Sequence, residues 1–206
     1  MNDALMHPDA ERRAWIPFFS MSFEQNLPTW VATLLLCACG SLLLFVGSLR
    51  SNDPPGISRR FRILALLFFY ISLDEFAEIH EAANAWFDFD GIFHFSWVVI
   101  AGPIVLVLGL YFIELLRVLP RAVARLFVLS GALFVGGALF VELGLGYWTD
   151  RYGENNIVYA LIDWLQESME LSGVALFFYS LVDLLRRDSR DVSLRIMLGD
   201  SDSGII

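Results

Sequence analysis

There is no lysine in this 206-residue chain; all 14 basic residues are arginine, and the formal net charge is −9. Phosphate backbones need a basic face, so nucleic acid is excluded as a partner. The missing lysine reads as a genomic composition bias. Histidine is scarce, with three in the whole chain, and only His80 and His94 fall near membrane depth, which leaves poor material for a haem. There is no P-loop, no G-x-S-x-G, no H-E-x-x-H and no dinucleotide fingerprint. The two cysteines, Cys37 and Cys39, sit two apart in an apolar run. Helical neighbours two apart face different ways, so they are expected as packing residues with no disulfide between them. The stretch up to Asn26 is too polar and charged for a cleavable signal peptide, so the first span is expected to act as its own insertion signal.

What the chain does have is apolar residues in excess. They make up 57% of it, against the 45–50% usual in a soluble domain. They fall in blocks of about 20 residues, the length that crosses a bilayer core. The pattern predicts an all-α, polytopic transmembrane bundle of about five spans. These cover about 27–49, 63–83, 92–116, 123–147 and 157–185, within one unit over 1–198, followed by a disordered tail over 199–206. Gly102-Pro103 marks a kink in the third span. Gly131, Gly136 and Gly137 are expected to let the fourth span pack closely. The segment from Trp15 to Met21 is too short to span and is read as lying along the outer surface.

Arginine placement predicts orientation. Arg50, Arg59, Arg60, Arg62, Arg117, Arg121, Arg125, Arg186, Arg187, Arg190 and Arg195 fall on one side, and Arg12, Arg13 and Arg151 on the other. Short cytoplasmic loops carry the excess of basic residues. The N-terminus is therefore expected outside and the C-terminus in the cytoplasm, in a bacterial inner membrane.

The most informative feature is where carboxylates interrupt the apolar blocks. Asp74, Glu78 and Glu81 follow a D-x-x-x-E-x-x-E pattern, and so do Asp163, Glu167 and Glu170. Offsets of four and seven place three carboxylates on one helix stripe. On antiparallel helices Asp74 is expected level with Glu167, and Glu78 level with Asp163. Glu142 in the fourth span and His94 at the start of the third should join them. Glu75 flanks the first stripe, and His80 should point about a hundred degrees away from it.

A charged residue at a bilayer centre costs roughly 2.5–3.5 kcal/mol on the lenient insertion scale. Six unpaired carboxylates would exceed the whole stability of a typical domain, roughly 5–15 kcal/mol. No arginine lies deep in a span, so the carboxyls are protonated, hydrated in a cavity or bound to cations. The leading expectation is a cation site made of Asp74, Glu75, Glu78, His80, Glu81, His94, Glu142, Asp163, Glu167 and Glu170. Such a site would hold a divalent or di-metal cation (Mn, Fe, Mg, Ca or Zn) and act as a membrane enzyme on a lipid-like substrate. Glu78-x-x-Glu81 and Glu167-x-x-Glu170 resemble carboxylate-bridged di-metal bundles in geometry only, because the histidine of that motif is missing from both. Two alternatives use the same residues: a proton or cation transporter, and a non-catalytic subunit bound to another membrane protein. A further reading has Ser72, Gln166 and Ser168 tying protonated carboxyls into a network that only packs helices.

Overall fold

The computed structural model describes residues 18–21, 25–51, 53, 54, 56–84, 87 and 89–188. Residues 15–17, the tail over 199–206 and the arginines at 12, 13, 190 and 195 lie outside this set. The described residues are helical, with no strand among them. The helices are α1 (Leu27–Leu49), α2 (Ile57–Ala77), α3 (Ile79–Asn84), α4 (Trp97–Val118), α5 (Arg121–Val135), α6 (Glu142–Tyr152) and α7 (Ile157–Asp188). A π-helical stretch, Gly136–Val141, joins α5 to α6, and a 3₁₀ turn, Gly91–Phe93, precedes α4.

Four stretches are long and apolar enough to cross a membrane: Leu27–Leu49, Trp97–Val118, Arg121–Tyr152 and Ile157–Arg187. The expected span over 63–83 is not among them. Its helix, α2, starts at Ile57, so it takes in Arg59, Arg60 and Arg62, and its last turn holds Asp74 and Glu75. Charges at both ends dilute its apolar centre.

That helix also ends earlier than the hydrophobic pattern implies. Glu78 adopts a left-handed conformation (φ 54°), while its N–H still bonds the Asp74 carbonyl at 2.8 Å. Left-handed backbone is uncommon for a residue with a side chain. A contact from the entry to α1 holds it there: Gln25, itself at φ 55°, donates from Nε2 to Glu78 Oε1 at 2.8 Å. Asn26 then starts α1, accepting the Thr29 N–H on its side chain at 3.2 Å.

Packing is uneven. α1 and α2 lie against each other along their length. Leu36, Cys39, Leu43 and Val46 meet Phe61 and Ala65 there, and Val174, Leu181 and Leu184 of α7 close the same core. Ser72 ties the pair together by donating to the Thr33 carbonyl at 2.9 Å, and it also approaches Cys37 Sγ at 3.4 Å. α5 and the π stretch lie equally close on α7. A Cβ on Gly173 would stand 2.7 Å from Phe134 N and 2.9 Å from Ser130 O. One on Gly137 would stand 2.8 Å from Glu170 Cγ and 2.9 Å from Gln166 O.

Gly136 and Gly137 thus serve close packing as their sequence implies, but Gly131 does not: a Cβ there meets nothing within 4 Å. α4 is the loosest helix. It touches α2 and α5 sparsely, buries only Val98 and Leu115, and runs unbroken through Pro103. At the arginine end Arg60 pairs with Glu114, donates to the Tyr111 carbonyl at 3.3 Å and lies over the Tyr111 ring. Because Glu114 is 61% exposed, Glu114→Ala is expected to shift the melting equilibrium by less than about 1 kcal/mol.

Candidate functional site: a buried chain of carboxyls

The break at Glu78 changes what the acidic residues of α2 do. Asp74, Glu78 and Glu81 do not form one continuous stripe, because the helix turns between them. The chain folds back so that Asp74 Oδ1 accepts the His80 backbone N–H at 2.9 Å. Asp74 Oδ2 lies 3.1 Å from His80 Nδ1. His80 is therefore brought onto Asp74, and not turned away from it as an unbroken helix would require. One carboxyl caps α3 and orients the imidazole. Asp74→Ala removes both contacts and is expected to cost about 1–2 kcal/mol. Hydrogen exchange should then speed up over 79–84 while α1 and α7 stay protected.

The His80 ring packs on Trp97 with centroids 5.3 Å apart. The Trp97 indole N–H donates to Glu142 Oε1 at 3.2 Å, and the Trp97 backbone N–H is held by Asn84 Oδ1 at 3.2 Å. Ser96 Oγ bonds the Asn84 carbonyl at 3.2 Å, which joins α3 to the start of α4. Glu142 is 7% exposed. It stands directly after the π stretch, so the extra residue of that turn sets where its carboxyl is aimed.

Gln166 of α7 lies beside both Glu142 and Glu170, and its Oε1 is buried without a hydrogen-bond partner. Glu170 in turn lies within electrostatic reach of Glu167, Glu75 and Glu142, and Glu142 within reach of His80 and Asp163. The result is a contiguous run from Asp74 and His80, through Trp97, Glu142 and Gln166, to Glu170 and Glu75. It draws on five helices.

The run ends in a small chamber of about 20 Å³. Glu75, Glu167 and Glu170 line it, together with Met21, Pro28 and Thr29. This space holds roughly one water. Ser168, also on α7, donates to Met21 Sδ at 3.6 Å, which brings the segment before α1 over this end of α7.

Other expected members lie at the margin. Glu81 is exposed and sits, with Glu154 and Asp163, around Tyr159. Glu78 is occupied by Gln25. His94 packs on Phe95 and abuts Gly146. Asp88 lies outside the described residues. Among the described residues no three His, Cys, Asp or Glu side chains gather closely enough to hold a metal ion. The expected ligand set is thus brought to one end of the bundle without closing into a single coordination sphere.

Three participants carried no sequence signal that marked them out. Trp97 reads as an ordinary start-of-span aromatic and Asn84 as a loop residue. Only the Gly136-Gly137 pair hinted at the π stretch that aims Glu142.

No curated protein and no solved structure matches the chain. A family model described as a domain of unknown function, DUF8692, matches residues 6–184, and the chain belongs to that family.

Proposed function

We propose that this is an integral membrane protein whose buried carboxyls form an acid–base site, taking up a proton or small cation from one side only. The observation that carries this is the succession of neighbouring polar groups from His80 to Glu170 and its stop there. Beyond Glu170 the described core is aliphatic and aromatic with one thiol, Cys39, and the buried Tyr111 hydroxyl near the arginine end has no hydrogen-bond partner. The two buried serines at that depth are satisfied within their own helices: Ser130 Oγ bonds Phe127 O at 2.9 Å, and Ser180 Oγ bonds Phe177 O at 2.6 Å. A polar run with one open end serves chemistry or binding better than transport.

In this reading α2 is a fifth span. It has 21 residues and is about 31 Å long, enough for a bilayer core of about 30 Å. Arg50, Arg117, Arg121, Arg186 and Arg187 then mark the cytoplasmic end, the C-terminus is inside, and the carboxyl run opens outward. A fluorescent-protein fusion at the C-terminus should fluoresce, and an export-dependent reporter there should stay inactive; the reverse pattern would invert the topology.

The functional reading is tested in purified protein reconstituted into liposomes. A pH jump should produce a fast proton uptake that Glu142→Gln and Glu170→Gln each reduce, with no sustained flux across the membrane. Steady flux that depends on Glu170 would make the protein a transporter instead.

A second reading keeps the metal. Glu75 and Glu167 face one chamber with Glu170 from two helices, and a divalent cation entering there would need to draw them inward. Mn²⁺ should then raise the melting temperature of the wild type and not of Glu75→Gln or Glu167→Gln. Identical melting curves with and without Mn²⁺ would sink it.

A further inference from the structure

A second cavity, of about 300 Å³, lies between α2, α4, α5 and α7. Phe68, Phe112 and other apolar side chains form its walls, and its one hydroxyl, Ser130, is already spent on Phe127 O. Nothing in it binds water, so it has no reason to be wet. It exists because α4 stands off from its neighbours and because two glycines face it from opposite helices. Gly109 of α4 and Gly131 of α5 both line the space, and a Cβ on either would meet nothing within 4 Å. The cavity adjoins the carboxyl chamber. Leu36, Phe134 and Val174 line both.

We propose that this cavity holds the hydrocarbon chain of one hydroxyl-bearing membrane lipid, with its hydroxyl in the chamber of Glu75, Glu167 and Glu170. The proposal rests on the acid–base reading above for the head, while the chain site stands on the cavity alone.

Chain, head and route each have an argument. The volume is at the lower end of the range that holds small-molecule ligands, roughly 300–1,000 Å³. A dry apolar cavity within a membrane-spanning bundle has hydrocarbon tails as its surrounding solvent. α4 exposes Leu106, Val107 and Leu110 beside it, so a chain entering past α4 crosses no polar surface. At the head end the chamber is about 20 Å³, which admits a hydroxyl and excludes a phosphate. Three carboxyls with no arginine lining the same chamber also repel an anionic head. A hydroxyl both donates to and accepts from a carboxyl, so it needs no countercharge at this depth.

The test uses the full chain in phosphatidylcholine nanodiscs and a hexadecanol carrying a photoreactive group in mid-chain. Labelling should be saturable, should map to α4 and α5, and should be competed by hexadecanol but not by hexadecyl phosphate. Gly131→Leu, whose Cβ would meet nothing within 4 Å, places a bulky side chain at the cavity and should lower labelling at least tenfold. Gly109→Leu on the facing helix should do the same and guards against one variant misfolding; melting curves check both. Undiminished labelling in both variants would overturn the chain site. Equal competition by hexadecyl phosphate would overturn the head assignment. The proton-uptake test uses no lipid probe, so its failure with labelling intact would remove the acid–base reading and leave the chain site standing.

Discussion

Gly173→Ala is expected to destabilise the bundle by about 3 kcal/mol, while Gly131→Ala, on the facing helix, is neutral or slightly stabilising. Both are glycine-to-alanine changes inside long helices. Without tertiary contacts both would gain roughly 0.5–1 kcal/mol of helix preference. Surroundings separate them. At Gly173 the new methyl would meet backbone atoms of α5 at 2.7 and 2.9 Å, and backbone cannot rotate away as a side chain can. The helices must separate, which is the overpacking cost of about 1–3 kcal/mol at its upper end. At Gly131 the methyl enters open space. Gly137→Ala should behave like Gly173→Ala and should also move Glu170, whose Cγ lies 2.8 Å from the added atom. Thermal melts of the three variants in one detergent check the order. A Gly131→Ala variant as unstable as Gly173→Ala would contradict the cavity.

Glu142→Leu is expected to be the most damaging change at the carboxyl run. It strips the acceptor from the Trp97 indole N–H, held in the interior. A buried donor left without a partner costs about 1–3 kcal/mol. Glu142→Gln keeps an acceptor and should cost much less, yet it interrupts any proton exchange along the run. Trp97→Phe removes the donor instead. Since the two groups share one hydrogen bond, Trp97→Phe combined with Glu142→Gln should cost clearly less than the sum of the single changes. Additive costs would mean that the indole and the carboxyl do not act on each other.

How much of this was legible beforehand depends on what each feature rests on. Long apolar blocks are a matter of composition, so the helix positions of α1, α4, α5 to α6, and α7 follow the pattern closely. The end of α2 was not legible. Its apolar and acidic periodicity runs smoothly through Glu78, and the turn there is met by Asp74 on the His80 N–H and by Gln25, 53 residues away, on the Glu78 side chain. The turn reverses the expected direction of His80, which Asp74 holds, and splits the first acidic stripe. The second stripe, on α7, survives because α7 is a straight helix. Glu142 is legible as an isolated acid in an apolar block, but its partner Trp97 is not, because an indole inside the expected span 92–116 reads as one more apolar residue. The role of Gly131 was misjudged for a related reason: a glycine that admits a neighbour and a glycine that leaves a space look the same in sequence.

The central claim is that Glu75, Glu142 and Glu170 exchange protons as one linked group that ends inside the bundle. Infrared difference spectra of the reconstituted protein, recorded across a pH titration, test it most directly. Carboxyls that interact strongly titrate as a set. The account predicts one set of carboxyl bands, reshaped as a whole by each of Glu75→Gln, Glu142→Gln and Glu170→Gln. Three independent bands, each lost with its own residue and leaving the others unmoved, would contradict it.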